Sequence, residues 1–148
     1  MDRRPQGMGE LRTMQGETDL KTLIATMRPH LHGSPYVFCT VNREADVGLP
    51  VSPVGTFQEE EGMTLILTQQ QALDQGLAFE MLWACVTLTV HSALSAVGFL
   101  AAITTRLAEA GVSVNPVSAY YHDHLFVPWE RRQEVVAILE DLQQTSAA

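Results

Sequence analysis

Residues 82–111, LWACVTLTVHSALSAVGFLAAITTRLAEAG, change their hydrophobic period once, and this change decides the fold. As far as His91, apolar and mixed residues alternate, which is typical of a strand with one buried face. From Ser92 to about Ala110 the apolar residues recur at helical spacing, and Gly111 follows as a helix-ending glycine. The stretch therefore predicts a strand that leads directly into a helix, with Ser92 as the N-cap of that helix.

The rest of the second half continues the alternation of strands and helices. The predicted elements, in chain order, are strands at 112–121 and 124–127, a tight turn at 122–123 and a helix at 130–143. From residue 82 the order is then β-α-β-β-α, which is most of a split βαβ unit.

The first half of the chain predicts a smaller set of elements of the same kind. They are a helix from Thr18 or Asp19, a strand at 36–41, a hairpin of 54–58 and 63–68, and a short helix at 69–75. We predict an α+β fold of two ferredoxin-like units packed together, at 17–80 and 81–145. Residues 1–16 show no periodicity and predict a flexible leader, within which Met14 competes with Met1 as the natural start.

The amino-acid composition argues against some classes of binding partner. The chain has 148 residues, of which 46% are hydrophobic, so a packed core is expected. Its formal net charge of −8 argues against nucleic acid as a partner, because the phosphate backbone would be repelled. The uncharged segment 81–105 is interrupted by Thr, His and Ser residues and begins with strand-like alternation, so we do not expect a membrane span.

The positions of the two cysteines and the character of the first residues indicate the cellular compartment of the protein. Cys39 and Cys85 lie far apart in apolar runs, which favours two buried free thiols over a disulfide or a thiolate zinc site. The first residues are charged and are not followed by an apolar stretch, so no signal peptide is expected. Both observations predict a cytoplasmic protein.

Several stretches of the chain resemble a family of small ACT-domain proteins of unassigned role. They are GETDL at 16–20, YVFCTV at 36–41, EGMTL at 61–65, LTVHS at 88–92 and YYHDHLFVP at 120–128. In addition, GVSV at 111–114 resembles the Gly-Ile-x-Ile step of ACT domains. The resemblance spans 16–142 and implies two ferredoxin-like units side by side and a homodimer. It also implies regulation through bound amino acids or similar metabolites, without catalysis and without a cofactor.

The predicted ligand site is the strand-to-helix loop His91-Ser92-Ala93-Leu94 of the second unit. The free N–H groups at a helix start and the positive end of the helix dipole favour a carboxylate. Asn115, on the neighbouring predicted strand, could hydrogen-bond an amino or carboxyl group. The sequence therefore predicts a small-molecule ligand with a carboxylate, such as an amino acid.

Other functions remain open at this point. The chain could be a structural or oligomerisation module that binds no ligand, since both faces of the last predicted hairpin carry apolar residues. His91, His122 and His124, with Asp123 between the last two, could form a zinc or nickel site. A hydrolase that pairs Ser92 with His91 or His122 is a weaker alternative, because no G-x-S-x-G elbow surrounds Ser92.

Overall fold

The computed structural model describes residues 18–42 and 51–147, so the leader predicted at 1–16 lies outside the described residues. The helices are α1 (Leu20–Thr26), α2 (Gln69–Asp74), α3 (Phe99–Glu109) and α4 (Arg132–Ala147), with a 3-10 turn at Trp129–Arg131. The strands are β1 (Pro29–Leu31), β2 (Tyr36–Val41), β3 (Gly55–Gln58), β4 (Met63–Thr68), β5 (Trp83–Leu88), β6 (Asn115–Ser118) and β7 (Asp123–Pro128). Within these residues no helix is long and apolar enough to cross a membrane.

All seven strands of the described chain join one antiparallel sheet, in the order β3-β4-β2-β5-β7-β6. β1 pairs with the same side of β5 as β2 does. Leu31 in β1 lies opposite Val86, and Tyr36 in β2 lies opposite Trp83. The chain therefore passes from one half of the sheet to the other along a single edge of β5.

The C-terminal half of the sheet holds the predicted β-α-β-β-α order as β5, α3, β6, β7 and α4. Its fourth strand is β1, which arrives from the N-terminal side of the chain and completes the order β1-β5-β7-β6. This is the strand order of a ferredoxin-like unit. The sequence pattern does not reveal β1, because Pro29 and the Gly33-Ser34-Pro35 run indicate a helix end and a loop.

The N-terminal half consists of β2, the β3–β4 hairpin and α2. β2 pairs with β4 over its whole length, from Tyr36 opposite Thr68 to Val41 opposite Met63. Helix α2 begins with a capping box, in which Thr68 and Gln71 exchange side-chain-to-backbone hydrogen bonds. The predicted hairpin and short helix are thus present, and the α+β class with two tandem ferredoxin-like units is confirmed.

The helices share one face of the sheet, and the buried residues there form two separate clusters. The larger cluster joins α1, α3 and α4 to β5 and β7, and the smaller one joins α2 to β2 and β4. On the helix-free face, a third cluster of Ile66, Cys85 and Phe126 connects the two halves, with Tyr36, Phe38 and Trp83 packed against it. The two units are therefore joined mainly through their helix-free face.

Two predicted boundaries in the C-terminal half are wrong. Helix α3 begins at Phe99 with Gly98 as its N-cap residue, so Ser92 does not cap it. Gly98 has φ +88°, a left-handed conformation that interrupts the apolar periodicity before the helix starts. The β6–β7 turn comprises 119–122, where the N–H of Ala119 donates to the carbonyl of His122. Asp123 is consequently a strand residue and does not belong to the turn.

Candidate functional site

A small cavity lies where the chain passes from β5 to α3. We call it the α3 cavity; its volume is about 170 Å³. Three segments border it: the loop before α3, the first turn of α3, and the start of the β6–β7 hairpin turn. The lining residues that matter below are Ser92, Ala93, Leu94, Gly98, Ser118 and Asp123.

The first turn of α3 faces this cavity without a side-chain cap. Its N-cap residue is a glycine, Gly98, and no side-chain hydrogen bond satisfies the helix start. The first N–H groups of a helix have no partner within the helix, and they carry the positive end of its dipole. Phe99 is almost completely buried and anchors this turn to the core. The helix start is therefore anchored in the core, and its first residues line the cavity.

Ser92 lines the α3 cavity, but its hydroxyl has a local partner. Its Oγ donates to the carbonyl of Ala93 at 3.3 Å, and its N–H donates to the carbonyl of Val90 at 2.9 Å. These bonds belong to the irregular segment between β5 and α3. The helix start whose backbone donors the sequence analysis places after Ser92 thus lies further along the chain, at the start of α3.

Asp123 brings a buried carboxylate to the same cavity, whereas the sequence analysis considered it only beside the histidines of a possible metal site. Its residue is only 7% exposed, and its Oδ1 accepts a hydrogen bond from Ser118 Oγ at 2.7 Å. The alternation of residues along β7 indicates the position of Asp123 from the sequence. Counting back by two from Val127 and Leu125 along β7 places Asp123 on the helix-covered face.

The residues predicted as ligand-binding are divided between two places. Ser92, Ala93 and Leu94 line the α3 cavity together. His91 is not among its lining residues, and its ring lies against that of Tyr121, with centroids 5.4 Å apart and planes tilted by 49°. Asn115 lies at the opposite end of β6, where it faces Phe126 across the strand pair and lines a different cleft. The structure therefore does not bring Asn115 together with the loop.

The three histidines considered for a metal site do not converge. His122 Nδ1 lies 3.3 Å from the carbonyl of Val90, whereas His124 Nδ1 lies 2.8 Å from the hydroxyl of Thr87. In the described part of the chain, no group of three or more His, Cys, Asp or Glu side chains could hold a metal ion.

A polar relay crosses the helix-free face beside the third cluster. The hydroxyl of Thr87 lies 2.7 Å from His32 Nε2 and 2.8 Å from His124 Nδ1, and Thr87 is only 6% exposed. Burial lowers the pKa of His32, with a further lowering by His30. Burial also lowers the pKa of His124; His122 and His32 add to this, and Asp123 opposes it. Both rings are thus held toward their neutral forms.

Neither cysteine has the features of a reactive thiol. Cys39 and Cys85 are both free and buried, as the sequence predicts. Burial raises the pKa of Cys85 to about 11, against a smaller opposing effect from its hydrogen bond with Thr87. A thiol with such a pKa is not a nucleophile at neutral pH.

The α3 cavity therefore combines backbone donors at one side with a buried carboxylate at another. Donors at a helix start suit an anion, and a carboxylate suits a cation. A ligand that carries an anionic and a cationic group close together would match both. Within the cavity the Ser92 hydroxyl donates to the backbone carbonyl of Ala93, and the Ser118 hydroxyl donates to the carboxylate of Asp123.

Comparisons with solved structures support the fold. A protein of unknown function from Vibrio cholerae, described as a possible transport protein, is 44% identical with a TM-score of 0.76, over 84% of this chain and 96% of that one. The regulatory subunit of aspartate kinase from Thermus thermophilus is 11% identical with a TM-score of 0.60, over 80% of this chain and 97% of that one. The corresponding subunit from Thermus flavus is 11% identical with a TM-score of 0.61, over 80% and 98%. At this low identity the two kinase subunits show a shared fold alone.

Comparison with curated proteins finds no match. The ACT-domain family, by contrast, matches the chain twice, over residues 15–84 and over residues 81–141. The two matches together span both halves of the sheet, and the Vibrio cholerae protein is similar over nearly its whole length. The chain therefore belongs to the ACT-domain family, as two ACT units in one polypeptide.

Proposed function

We propose that this protein is a non-catalytic regulatory ACT protein that binds the zwitterion of a small amino acid in the α3 cavity. One observation carries the proposal. The uncapped first turn of α3 and the buried carboxylate of Asp123 border the same small space. An α-amino acid holds its carboxylate and its ammonium two bonds apart, so it can satisfy both groups at once.

The carboxylate of the ligand would lie against the start of α3. There it accepts hydrogen bonds from N–H groups that have no partner within the helix and interacts favourably with the dipole. The chain is strongly acidic overall, so its global field does not attract anions. Local donors must therefore hold the carboxylate, and the affinity is expected to be modest because no arginine contributes a bidentate contact.

The ammonium of the ligand would face Asp123. This carboxylate is oriented by Ser118 from the neighbouring strand and is shielded from water, which strengthens an ion pair. The arrangement also selects against plain carboxylic acids, because they would leave a buried charge without a cation.

The size of the α3 cavity limits the ligand. Its volume of about 170 Å³ is smaller than the roughly 300–1,000 Å³ of pockets for drug-sized molecules. Amino acids with small side chains fit this space better than aromatic or long basic ones.

Isothermal titration of the full chain with each of the twenty amino acids tests the proposal. We expect saturable heat with small amino acids, and loss of that heat when the amine is acetylated or the carboxylate is esterified. Asp123→Asn should weaken binding by about tenfold or more, because it removes the charge while keeping the shape. The matched control is Glu60→Gln, an exposed residue of the β3–β4 turn, which should change nothing.

Absence of heat with all twenty amino acids overturns the proposal, provided that NMR shifts at 91–95, 118 and 123 also stay fixed at millimolar ligand. The alternative is then a structural module, whose partner surface is the exposed outer edge of the sheet. β6 supports this alternative, since all four of its residues are exposed. Pro116 in β6 disfavours simple strand addition there, because proline lacks the N–H donor.

Homodimer formation and a cytoplasmic location belong to the same proposal. The buried free thiols suit a reducing compartment. Exposed apolar residues at the β6–β7 turn, Tyr120 and Tyr121, suit a contact with a second copy. Light scattering of the purified chain at two concentrations measures the oligomeric state directly, and a monomer at both would exclude the dimer.

A further inference from the structure

A second and larger cleft lies on the helix-free face, where the two halves of the sheet diverge. β2 and β5 are paired through Tyr36 and Trp83, and beyond this pair the strands separate. The separation opens a cleft of about 520 Å³, which we call the junction cleft. Its lining includes Phe38, Thr40, Phe79, Glu80, Trp83 and Asn115.

Aromatic rings form the walls of the junction cleft. The rings of Phe38 and Trp83 lie 5.9 Å apart with an angle of 73° between their planes, so two walls meet near a right angle. Both residues stand on paired strands and pack on the third cluster, which fixes their positions. Phe79, from the segment between α2 and β5, also borders the cleft, while its side chain packs against the smaller core cluster.

The charge that lines the junction cleft is negative. Glu80 contributes a carboxylate at the exposed rim, and Asn115 and Thr40 contribute an amide and a hydroxyl. Among the described lining residues there is no Lys, Arg or His. Because the whole chain carries a formal charge of −8, its field also favours cations over anions.

We propose that the junction cleft binds an organic cation whose ammonium group carries alkyl substituents, the class to which choline belongs. Aromatic faces attract such cations through their quadrupoles, and the alkyl groups bury apolar surface against the same rings. Glu80 supplies the opposite charge, and Asn115 can accept a hydrogen bond from a hydroxyl on the ligand. The volume lies within the range of pockets for small organic ligands.

This site is independent of the amino-acid site proposed above. The α3 cavity lies on the helix-covered side, against Asp123, whereas the junction cleft lies between the two halves on the helix-free side. Failure of amino-acid binding would leave the cation proposal unaffected, and the reverse also holds.

Tryptophan fluorescence can test the proposal, because the chain has two tryptophans and only Trp83 lines the junction cleft. A Trp129→Phe variant makes Trp83 the sole reporter. We expect saturable quenching by choline, and about tenfold weaker binding of 3,3-dimethylbutan-1-ol, which has the same shape without the charge. Calorimetry with choline on the unaltered protein repeats the measurement without any substitution.

Glu80→Gln should weaken choline binding several-fold and leave the neutral analogue unchanged, since only the cation interacts with the carboxylate. The matched control is Glu109→Gln, an exposed glutamate at the end of α3 on the helix-covered side, which should have no effect. Equal binding of choline and its neutral analogue overturns the proposal in favour of an apolar cleft. No saturable response to choline in the millimolar range, by fluorescence and by calorimetry, overturns it as well.

Discussion

The N-terminal half of the sheet has three strands, in the order β3-β4-β2, and the C-terminal half has four, in the order β1-β5-β7-β6. Helices cover the two halves to different extents. Three helices cover the C-terminal half over a cluster of fourteen buried residues, whereas α2 alone covers the N-terminal half over a cluster of six. The helix in the thinner half is capped at its start, and the helix α3 in the thicker half is not. The half with more hydrophobic stabilisation is therefore the one that leaves polar groups available for a ligand.

The largest expected effect comes from removing core volume in each half. Leu125 and Leu67 are both fully buried, in the larger and the smaller cluster respectively. Leu125→Ala should cost about 3–5 kcal/mol, because three packed helices cannot close the resulting void. Leu67→Ala should cost about 2–3 kcal/mol, because the six-residue α2 can move inward. Urea unfolding followed by circular dichroism measures both.

An equal loss of unfolding free energy in Leu125→Ala and Leu67→Ala would contradict the idea that helices cover the C-terminal half more thickly. Two separate unfolding transitions would contradict a cooperative sheet. We expect one transition, because the third cluster and the Tyr36–Trp83 pair connect the halves.

The glycines that end α3 and α2 allow a matched comparison of helix termini. Gly111 has φ +71° and Gly76 has φ +65°, so both adopt the left-handed conformation. Gly111→Val should destabilise the protein by about 1–3 kcal/mol through backbone strain. Gly76→Val should cost less, because the backbone of Gly111 also accepts a hydrogen bond from Arg131, whereas no atom lies within 4 Å of a Cβ added at Gly76.

The same unfolding experiment measures both variants. Arg131 donates to the carbonyls of Gly111 and Ala110, at 2.7 and 3.0 Å, so a bulky residue at 111 also disturbs this link from α3 to the start of α4. A Gly111→Val protein as stable as the unaltered chain would mean that the helix ends elsewhere.

Local patterns in the sequence predict most elements of the fold, and the errors occur where distant contacts decide. β1 has three residues and exists through its pairing with β5, more than fifty residues away, so no local pattern reveals it. The predicted helix starts earlier than α3 because Val97, before the actual helix start, continues the helical spacing of apolar residues. The left-handed φ of Gly98, which ends that continuity, is not visible in a hydrophobic pattern.

The sites were predictable to different extents. The strand-to-helix loop identified Ser92, Ala93 and Leu94, which do line the α3 cavity. Asp123 could have been recognised from its alternation with Leu125, but its place in an apparent polar turn hid it. The junction cleft arises from the divergence of two strands from different halves, so no stretch of sequence indicates it.

Removing the N-cap of α2, the helix of the N-terminal half, should have a smaller effect on stability. Thr68 Oγ1 accepts a hydrogen bond from the N–H of Gln71 at 3.2 Å, and Gln71 Oε1 accepts one from the N–H of Thr68 at 2.9 Å. Thr68→Ala should cost about 1 kcal/mol in urea unfolding, as is typical of a lost N-cap. The control is Thr105→Ala, on the exposed side of α3, which should cause no loss. A change in amino-acid binding by Thr68→Ala would contradict the separation of the two helices' roles.

The smallest expected effect is a pH dependence at the crossing between the halves, where His32 follows β1. A hydroxyl has one proton, so Thr87 can donate to one ring and must accept from the other. If both rings were protonated, the Thr87 proton would lose its acceptor and two positive charges would face each other. Burial, with a smaller contribution from neighbouring histidines, holds the pKa values of His32 and His124 below the usual 6.5, while the unfolded chain keeps the usual value.

The unfolded chain therefore binds more protons than the folded one below about pH 6.5, so the relay's contribution is fully present above that pH and is lost as the pH falls below it. Urea unfolding at a series of pH values between about 5 and 7.5 should show stability declining on the acid side. His124→Asn, which keeps a hydrogen-bonding group near the Nδ1 position but cannot titrate, should flatten this decline. His91→Gln, outside the relay, should leave it unchanged. The effect is small because both rings keep partial contact with solvent, and an unaltered decline in His124→Asn would assign it to other groups.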